Sequence, residues 1–240
     1  MTPGAKGELT NQLLESLEAI HHRWLMRQGQ AWACREGCAS CCTRSVTATA
    51  LEARRILAFL AAQERPWQGA PAFSGPGNQT EQPLTTNQLA RLCLDGTEPP
   101  EPSQAPWNLA PCPFLTDKHC AIYPVRPLMC RAFVSLTNCA ESGEAMVPPM
   151  VMSGNTVFLQ LVEHLGQGQP WGNLLQLLDR LSGLEQSRSG RLLRGEPLPG
   201  FLVAPEEQAM LDAILTDLSH TMLAGMSVWQ WLQQGVGHGA

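Results

Sequence analysis

Cysteine is the residue type with the clearest capacity for chemistry in this sequence. All nine cysteines lie between Cys34 and Cys139, and eight of them form two groups. Thiolates bind zinc and iron–sulfur clusters, and four of them complete a tetrahedral zinc shell or hold one cluster. We therefore predict that eight thiols bind metal. The first group is Cys34-x3-Cys38-x2-Cys41-Cys42, and the second is Cys112, Cys120, Cys130 and Cys139.

The spacing leaves the division of these ligands open. Eight thiols supply two four-thiolate sites, or one site shared between both groups. Cys41 and Cys42 are neighbours, and adjacent side chains rarely point at the same ion, so we expect them to serve different sites or one of them to be structural. A helical segment would place the first group on one side, whereas Gly37 would permit the tight turn of a knuckle.

Buried free thiols and disulfides are the other common uses of cysteine. A lone cysteine packs as a small hydrophobe, and we expect this of Cys93, which lies in a helical Leu-Cys-Leu context. The sequence shows no basic segment followed by an apolar one at its start, so we expect no secretory signal and a cytoplasmic location. In a reducing compartment, clustered cysteines favour metal or redox chemistry over disulfides.

Composition excludes several other classes of function. The chain has 240 residues, 44% of them hydrophobic, and a net charge of −5, which argues against a nucleic-acid binder that relies on phosphate attraction. Its apolar runs are too short to span a bilayer, so we expect no membrane partner. It contains no Walker loop, dinucleotide glycine fingerprint or Gly-x-Ser-x-Gly elbow. A protein partner is possible, but the sequence does not specify one.

Apolar periodicity and capping signals predict a mostly helical chain. Leu9, Leu13, Leu17, Ile20 and Trp24 form one stripe of a first helix at about 8–28. Thr49-x-x-Glu52 is typical of a capping box and predicts a second helix that stops before Pro66. Further helices are predicted at 86–94, 127–133, 157–165, 174–184 and 206–223, loops at 66–83 and 97–106, and a hairpin or knuckle at 112–123. The helix at 206–223 has Met210, Ile214, Leu218 and Met222 as its apolar stripe.

These elements predict a mainly α fold, with helices packed around a small cysteine-rich metal-binding knot and at most a short β-hairpin. No strand–helix alternation that would build a parallel sheet is present. We divide the chain into an N-terminal helix (1–33), a cysteine-cluster domain (34–139) and a C-terminal helical region packed on it (140–240).

Four further residues beside the cysteines have polar side chains that could take part in a site. We expect His119 to be an exposed loop residue and Tyr123 to pack beside the metal site. Arg126 and Arg131 could offset thiolate charge, and we expect them to bond backbone carbonyls or thiolates.

The ordered motifs over residues 34–139 resemble the YkgJ-type cysteine-cluster family. The resemblance rests on the Cys34–Cys42 group, on Cys112-Pro-Phe-Leu, on Cys120-Ala-Ile-Tyr-x2-Arg-Pro-x2-Cys130-Arg-x-Phe, and on Cys139. That family is described as a zinc- or iron-chelating domain, and its members are often labelled iron–sulfur proteins. The resemblance implies metal binding by the eight motif cysteines and implies no particular reaction. Cys93 lies outside the pattern.

Two enzyme classes share part of this signal. Cys34-x3-Cys38-x2-Cys41 is also the spacing of radical S-adenosylmethionine enzymes, but the strand–helix alternation of their partial barrel is missing here. Flagellin lysine methylases resemble the cysteine-cluster family and carry a similar motif.

We therefore predict that the protein holds zinc or an iron–sulfur cluster, and that [4Fe–4S] is the favoured cluster type. Its predicted role is metal handling or electron transfer. The alternative is an iron–sulfur-dependent modifying enzyme, for redox chemistry or methyl transfer.

Overall fold

The computed structural model describes residues 2–69, 84–100, 109–184 and 192–235, so most of the two predicted loops lies outside the described residues. The described part is mainly helical, as the sequence predicts. Its helices are α1 (Pro3–Arg27), α2 (Ala50–Ala62), α3 (Thr86–Leu94), α4 (Leu128–Ala132), α5 (Cys139–Ser142), α6 (Pro149–Leu165), α7 (Leu174–Leu181), α8 (Gln208–His220) and α9 (Val228–Gln233). Within these residues, no helix is both long enough and apolar enough to cross a membrane.

Local capping explains where several of these helices begin. The predicted capping box of α2 is confirmed: Glu52 N–H bonds the Thr49 hydroxyl, and the Glu52 carboxylate accepts from Thr49 N–H. The helix α1 starts five residues earlier than predicted because Thr2 caps it and Pro3 occupies its first turn. Pro127 immediately precedes α4 instead of lying inside it.

Short antiparallel strands complete the described part of the chain. They are β1 (Thr47–Thr49), β2 (Leu115–Thr116), β3 (His119–Cys120), β4 (Pro170–Asn173), β5 (Leu193–Arg194), β6 (Met222–Leu223) and β7 (Met226–Ser227). The predicted hairpin is confirmed as β2–β3, and β6–β7 forms a second one. No sequence pattern predicted the sheet β1–β4–β5, which pairs Thr47 with Asn173.

One hydrophobic core lies between α1, α6 and α8. The predicted stripe of α1 is buried in it, and Leu13, Leu17 and Ile20 are fully inaccessible to solvent. Each such side chain contributes roughly 1.5–3 kcal/mol through burial. The indole of Trp24 packs directly over Gly154 of α6, where a Cβ would lie 2.2 Å from the ring.

A second core lies between β1, α2, α7 and the β2–β3 hairpin. It contains the apolar residues Val46, Ile56, Leu60, Phe114, Ile122, Leu174 and Leu178, among others. Cys112, Cys120 and Cys130 pack against this cluster. The second core therefore supports most of the second cysteine group.

The structure corrects two local predictions. The last long helix ends at His220, so Met222 is not part of its apolar stripe: it lies in β6 and is 63% exposed. Positive φ angles at Ala224 and Gly225 form the turn that follows. Cys93 is exposed on α3 and is not a buried packing thiol.

Candidate metal centre

Seven of the eight predicted ligands line one cavity of about 250 Å³. They come from several separate elements: an irregular segment between α1 and β1, the β2–β3 hairpin and α4. The seven are Cys34, Cys38, Cys41, Cys42, Cys112, Cys120 and Cys130. Cys139 opens α5 and is not among the lining residues. All of these cysteines are free thiols.

The first cysteine group follows a chain of tight turns and is not helical. Cys38 N–H donates to the Arg35 carbonyl, and Cys42 N–H donates to the Ala39 carbonyl, each at 3.0 Å. Gly37 has a φ of 88°, a left-handed conformation that glycine adopts without steric cost. The knuckle is therefore the correct alternative for this segment.

Main-chain bonds join the end of this knuckle to the hairpin. Cys112 N–H donates to the Cys42 carbonyl at 2.9 Å, and Thr43 forms an isolated antiparallel bridge with Pro111. Cys120 lies on β3 opposite Leu115 of β2. These contacts hold Cys42, Cys112 and Cys120 near one another although they are far apart in sequence.

A buried carboxylate fixes the helix that carries Cys130. Besides capping α2, Glu52 accepts a bond from Leu128 N–H at 2.8 Å, at the start of α4. Its side chain is almost fully buried, and burial raises the pKa of Glu52. The carboxylate thus orients α4 relative to α2 through a charge-assisted hydrogen bond.

Ion pairs attach the same helix to α1. Glu18 pairs with Arg131 at 3.4 Å and also with Arg55 of α2. Arg131 donates to the carbonyls of Arg126 at 3.1 Å and Pro124 at 2.8 Å. The expectation that Arg131 bonds backbone carbonyls is confirmed.

The start of the first group is attached to the segment before α5. Ala33 N–H donates to the Ser135 carbonyl at 2.8 Å, and the Cys34 thiol also bonds the Ser135 backbone. The Ser135 hydroxyl accepts from Thr137 N–H at 3.1 Å. The Cys139 thiol lies 3.9 Å from the Thr137 carbonyl. Cys34 and Cys139 are therefore neighbours in space.

Burial raises the pKa of several of these thiols, which makes it harder to form their thiolates. Desolvation is the largest cause that raises the pKa of Cys34, Cys120 and Cys130, and it raises that of Cys112 to about 11. Metal binding must therefore displace protons from these sulfurs.

Cys42 has the opposite shift. The Cys41 thiol donates a hydrogen bond to the Cys42 sulfur, which lowers the pKa of Cys42 to about 7; burial opposes this effect and the charge of Arg126 assists it. The same hydrogen bond raises the pKa of Cys41. Cys42 is thus the thiol most readily available as a thiolate.

Arg126 supplies a positive charge and an unused donor at the site. Its guanidinium lies 3.6 Å from the centroid of the Tyr123 ring and lines the cavity. Its Nε is buried, and no acceptor among the described residues bonds it. A thiolate-bound metal centre carries negative charge and sulfur acceptors, so this donor fits such a group.

The thiols are not yet arranged as a coordination shell. Across the part of the chain that the structure describes, no three His, Cys, Asp or Glu side chains form a group that could hold a metal ion as they stand. Thiol side chains rotate between staggered rotamers, so metal binding requires such rotations around the cavity.

Two histidines differ in their relation to this site. His119 is exposed, as predicted, but it lies on β3 and not in a loop; its Nδ1 bonds the Asp117 carbonyl at 2.8 Å. His21 lines the cavity, is 1% exposed and bonds Asn155 of α6 at 2.8 Å. Burial lowers the pKa of His21 to about 4. Its position four residues after Leu17 on the buried stripe is the sequence signal for this placement.

The cavity also has an apolar wall that the sequence did not reveal. Leu25 and Met26 from the end of α1, Trp32, and Phe133 after α4 contribute to it. The indole N–H of Trp32 is buried and has no acceptor among the described residues.

Comparison with models of known protein families gives a match. Residues 33–147 match the family model CxxCxxCC, described as "putative zinc- or iron-chelating domain". No curated protein and no solved structure matches the chain. The matched segment, a little under half of the chain, contains all eight predicted ligands and is similar to this cysteine-cluster family, as the order of the motifs predicts.

Proposed function

We propose that the chain binds zinc or an iron–sulfur cluster through the thiolates of its two cysteine groups. The ligands are Cys34, Cys38, Cys41, Cys42, Cys112, Cys120, Cys130 and Cys139. The observation that carries the proposal is that seven of these thiols, from several separate elements, line one cavity. The family description supports zinc or iron as the metal.

The surroundings of the thiols suit a negatively charged thiolate centre. Arg126 supplies a buried donor that bonds no acceptor in the described part of the chain, and the pKa of Cys42 is lowered to about 7. A cluster of the [4Fe–4S] type would supply electron transfer when bound, whereas zinc would supply a closed structural site. We assign the protein to metal handling or electron transfer in a reducing compartment such as the cytoplasm, where thiols remain available.

Cobalt titration tests this function because tetrathiolate Co²⁺ absorbs through sulfur-to-metal charge transfer. The intact reduced chain should develop this absorption, and zinc should abolish it. The double variant Cys112→Ser/Cys120→Ser should lose at least half of the signal. Cys93→Ser, which changes an exposed thiol outside the site, is the matched control and should leave it unchanged. The proposal would be refuted if the intact chain showed no charge-transfer band with cobalt and also held no iron–sulfur cluster.

A second candidate function is an iron–sulfur-dependent modifying enzyme, for redox chemistry or methyl transfer. It is favoured by the apolar wall beside the thiols and by the buried Trp32 N–H, which could bond an organic ligand. Adding S-adenosylmethionine to the iron-loaded protein tests it. A shift of the cluster's spectrum would support the enzyme, and an unchanged spectrum at saturating ligand would count against S-adenosylmethionine-dependent methyl transfer.

A further inference from the structure

We propose that the eight thiols form two separate four-thiol groups, each of which binds its own metal centre. Group A is Cys34, Cys38, Cys41 and Cys139, and group B is Cys42, Cys112, Cys120 and Cys130. The inference rests on the proposed metal-binding function and goes beyond it, because neither the motif spacing nor the family description divides the ligands.

Group B is assembled by main-chain pairing and by a shared core. The Cys42 carbonyl accepts from Cys112 N–H at 2.9 Å, and the hairpin turn brings Cys120 back beside the strand that follows Cys112. Cys112, Cys120 and Cys130 all pack against the second hydrophobic core. Glu52 fixes α4, which carries Cys130, through its bond to Leu128 N–H.

Group A is assembled on another segment of the chain. The Ala33–Ser135 bond and the contact of the Cys34 thiol with Ser135 place Cys34 beside the segment that ends in Cys139. The turn from Arg35 to Cys38, with Gly37 in a left-handed conformation, returns the chain so that Cys38 lies near Cys34. Cys139 is outside the cavity lining, whereas Cys34, Cys38 and Cys41 line the same cavity as group B.

The proximity of the thiols agrees with this division. The thiols close enough to Cys130 to interact with it electrostatically are Cys112, Cys120 and Cys42. Those close enough to Cys34 are Cys38 and Cys139. Each of these two cysteines thus has members of its own group as its nearby thiols.

Cys41 lies at the junction of the two groups. Its thiol donates a hydrogen bond to the Cys42 sulfur, and it lies close enough to both Cys130 and Cys34 to interact with them electrostatically. Cys42, Cys112, Cys120 and Cys130 already supply the four thiolates that close a tetrahedral shell. Cys41 is therefore the remaining ligand for Cys34, Cys38 and Cys139, and the pair Cys41–Cys42 joins the two centres.

Metal stoichiometry from native mass spectrometry, with zinc as the probe, tests the division. The intact reduced chain should bind two zinc ions, and the control Cys93→Ser should also bind two. Cys34→Ser/Cys139→Ser, with both changes in group A, and Cys112→Ser/Cys120→Ser, with both in group B, should each retain one. Cys34→Ser/Cys112→Ser, with one change in each group, should retain none.

Alkylation of the intact chain gives a second readout that needs no variant. With one zinc bound per chain, peptide mapping should show four protected thiols that all belong to one group. A single zinc per intact chain, or protection that mixes the groups, would overturn the division and leave metal binding itself in place. Absence of both bound zinc and an iron–sulfur cluster would overturn the proposed function together with the division.

Discussion

His21 shows how a buried residue beside the cavity links stability to pH. Burial lowers its pKa to about 4, with smaller effects from Arg131 and His22, although its bond to Asn155 acts in the opposite direction. In the unfolded chain the pKa returns to about 6.5. The unfolded state therefore binds more protons between these values, so this contribution to stability is fully present above pH 6.5 and is lost as the pH falls toward 4.

We predict that this one residue makes the free energy of unfolding fall by about 3 kcal/mol between pH 7 and pH 4. His21→Gln keeps an amide donor for Asn155 and has no proton to gain, so its stability should fall by correspondingly less. His22→Gln changes the exposed neighbour and should follow the wild type. Urea unfolding of the three metal-free proteins at several pH values measures the difference. If the free energy of unfolding fell equally with pH in the wild type and in His21→Gln, His21 would not be the group that links stability to pH.

The cysteines themselves illustrate what residue types and spacing can predict. The eight motif thiols could be predicted as metal ligands from the sequence, because a thiolate site needs several cysteines and these eight occur in two closely spaced groups. Their division into two groups could not be predicted from the sequence, because it depends on main-chain hydrogen bonds, such as that between Ala33 and Ser135, that join residues about 100 positions apart. Cys93 was misjudged because apolar neighbours in sequence do not ensure burial: the adjacent Leu94 is itself exposed on α3.

At the scale of elements, Glu52 connects a helix start to the metal site. Its almost fully buried carboxylate accepts hydrogen bonds from Thr49 N–H, the Thr49 hydroxyl and Leu128 N–H. The capping box could be predicted from sequence, whereas the bond to α4 could not, because it is a tertiary contact across 76 residues.

We predict that Glu52→Gln lowers the free energy of unfolding by about 1–3 kcal/mol, since the amide NH₂ replaces one acceptor oxygen and faces a buried donor. It should also weaken zinc binding at Cys130, which α4 carries. Glu15→Gln, an exposed change on α1, should alter stability by less than about 0.5 kcal/mol. Denaturant unfolding of both variants checks this, and equal stabilities would show that the buried carboxylate is not needed.

The contact of α1 with α6 depends on a glycine. A Cβ at Gly154 would lie 2.2 Å from the Trp24 ring, too close for any ordinary contact. We predict that Gly154→Ala destabilises the fold by about 1–3 kcal/mol, because the helices must separate or the indole must move. Gly7→Ala, on α1 with no atom within 4 Å of its new Cβ, should instead stabilise by up to about 1 kcal/mol. Thermal unfolding of both variants measures the difference in stability. A melting temperature of Gly154→Ala equal to that of the wild type would contradict the close packing of Trp24 on Gly154.

At the scale of the whole molecule, two hydrophobic cores support one thiol-lined cavity. The helical class and the apolar stripe of α1 could be predicted because they repeat with the helical period. The sheet β1–β4–β5 could not, because strands of two to four residues are too short for an alternation signal. The apolar wall of the cavity was also missed, since it is formed by residues that lie apart in sequence, such as Met26 and Phe133.

The central claim is that the cysteine groups bind metal. Elemental analysis of zinc and iron, with acid-labile sulfide, on the chain purified without oxygen tests it most directly. We expect zinc near two per chain, or iron and sulfide in stoichiometric amounts with a broad absorption near ~400 nm. A folded chain that contains neither metal and has all nine thiols free to react would contradict it.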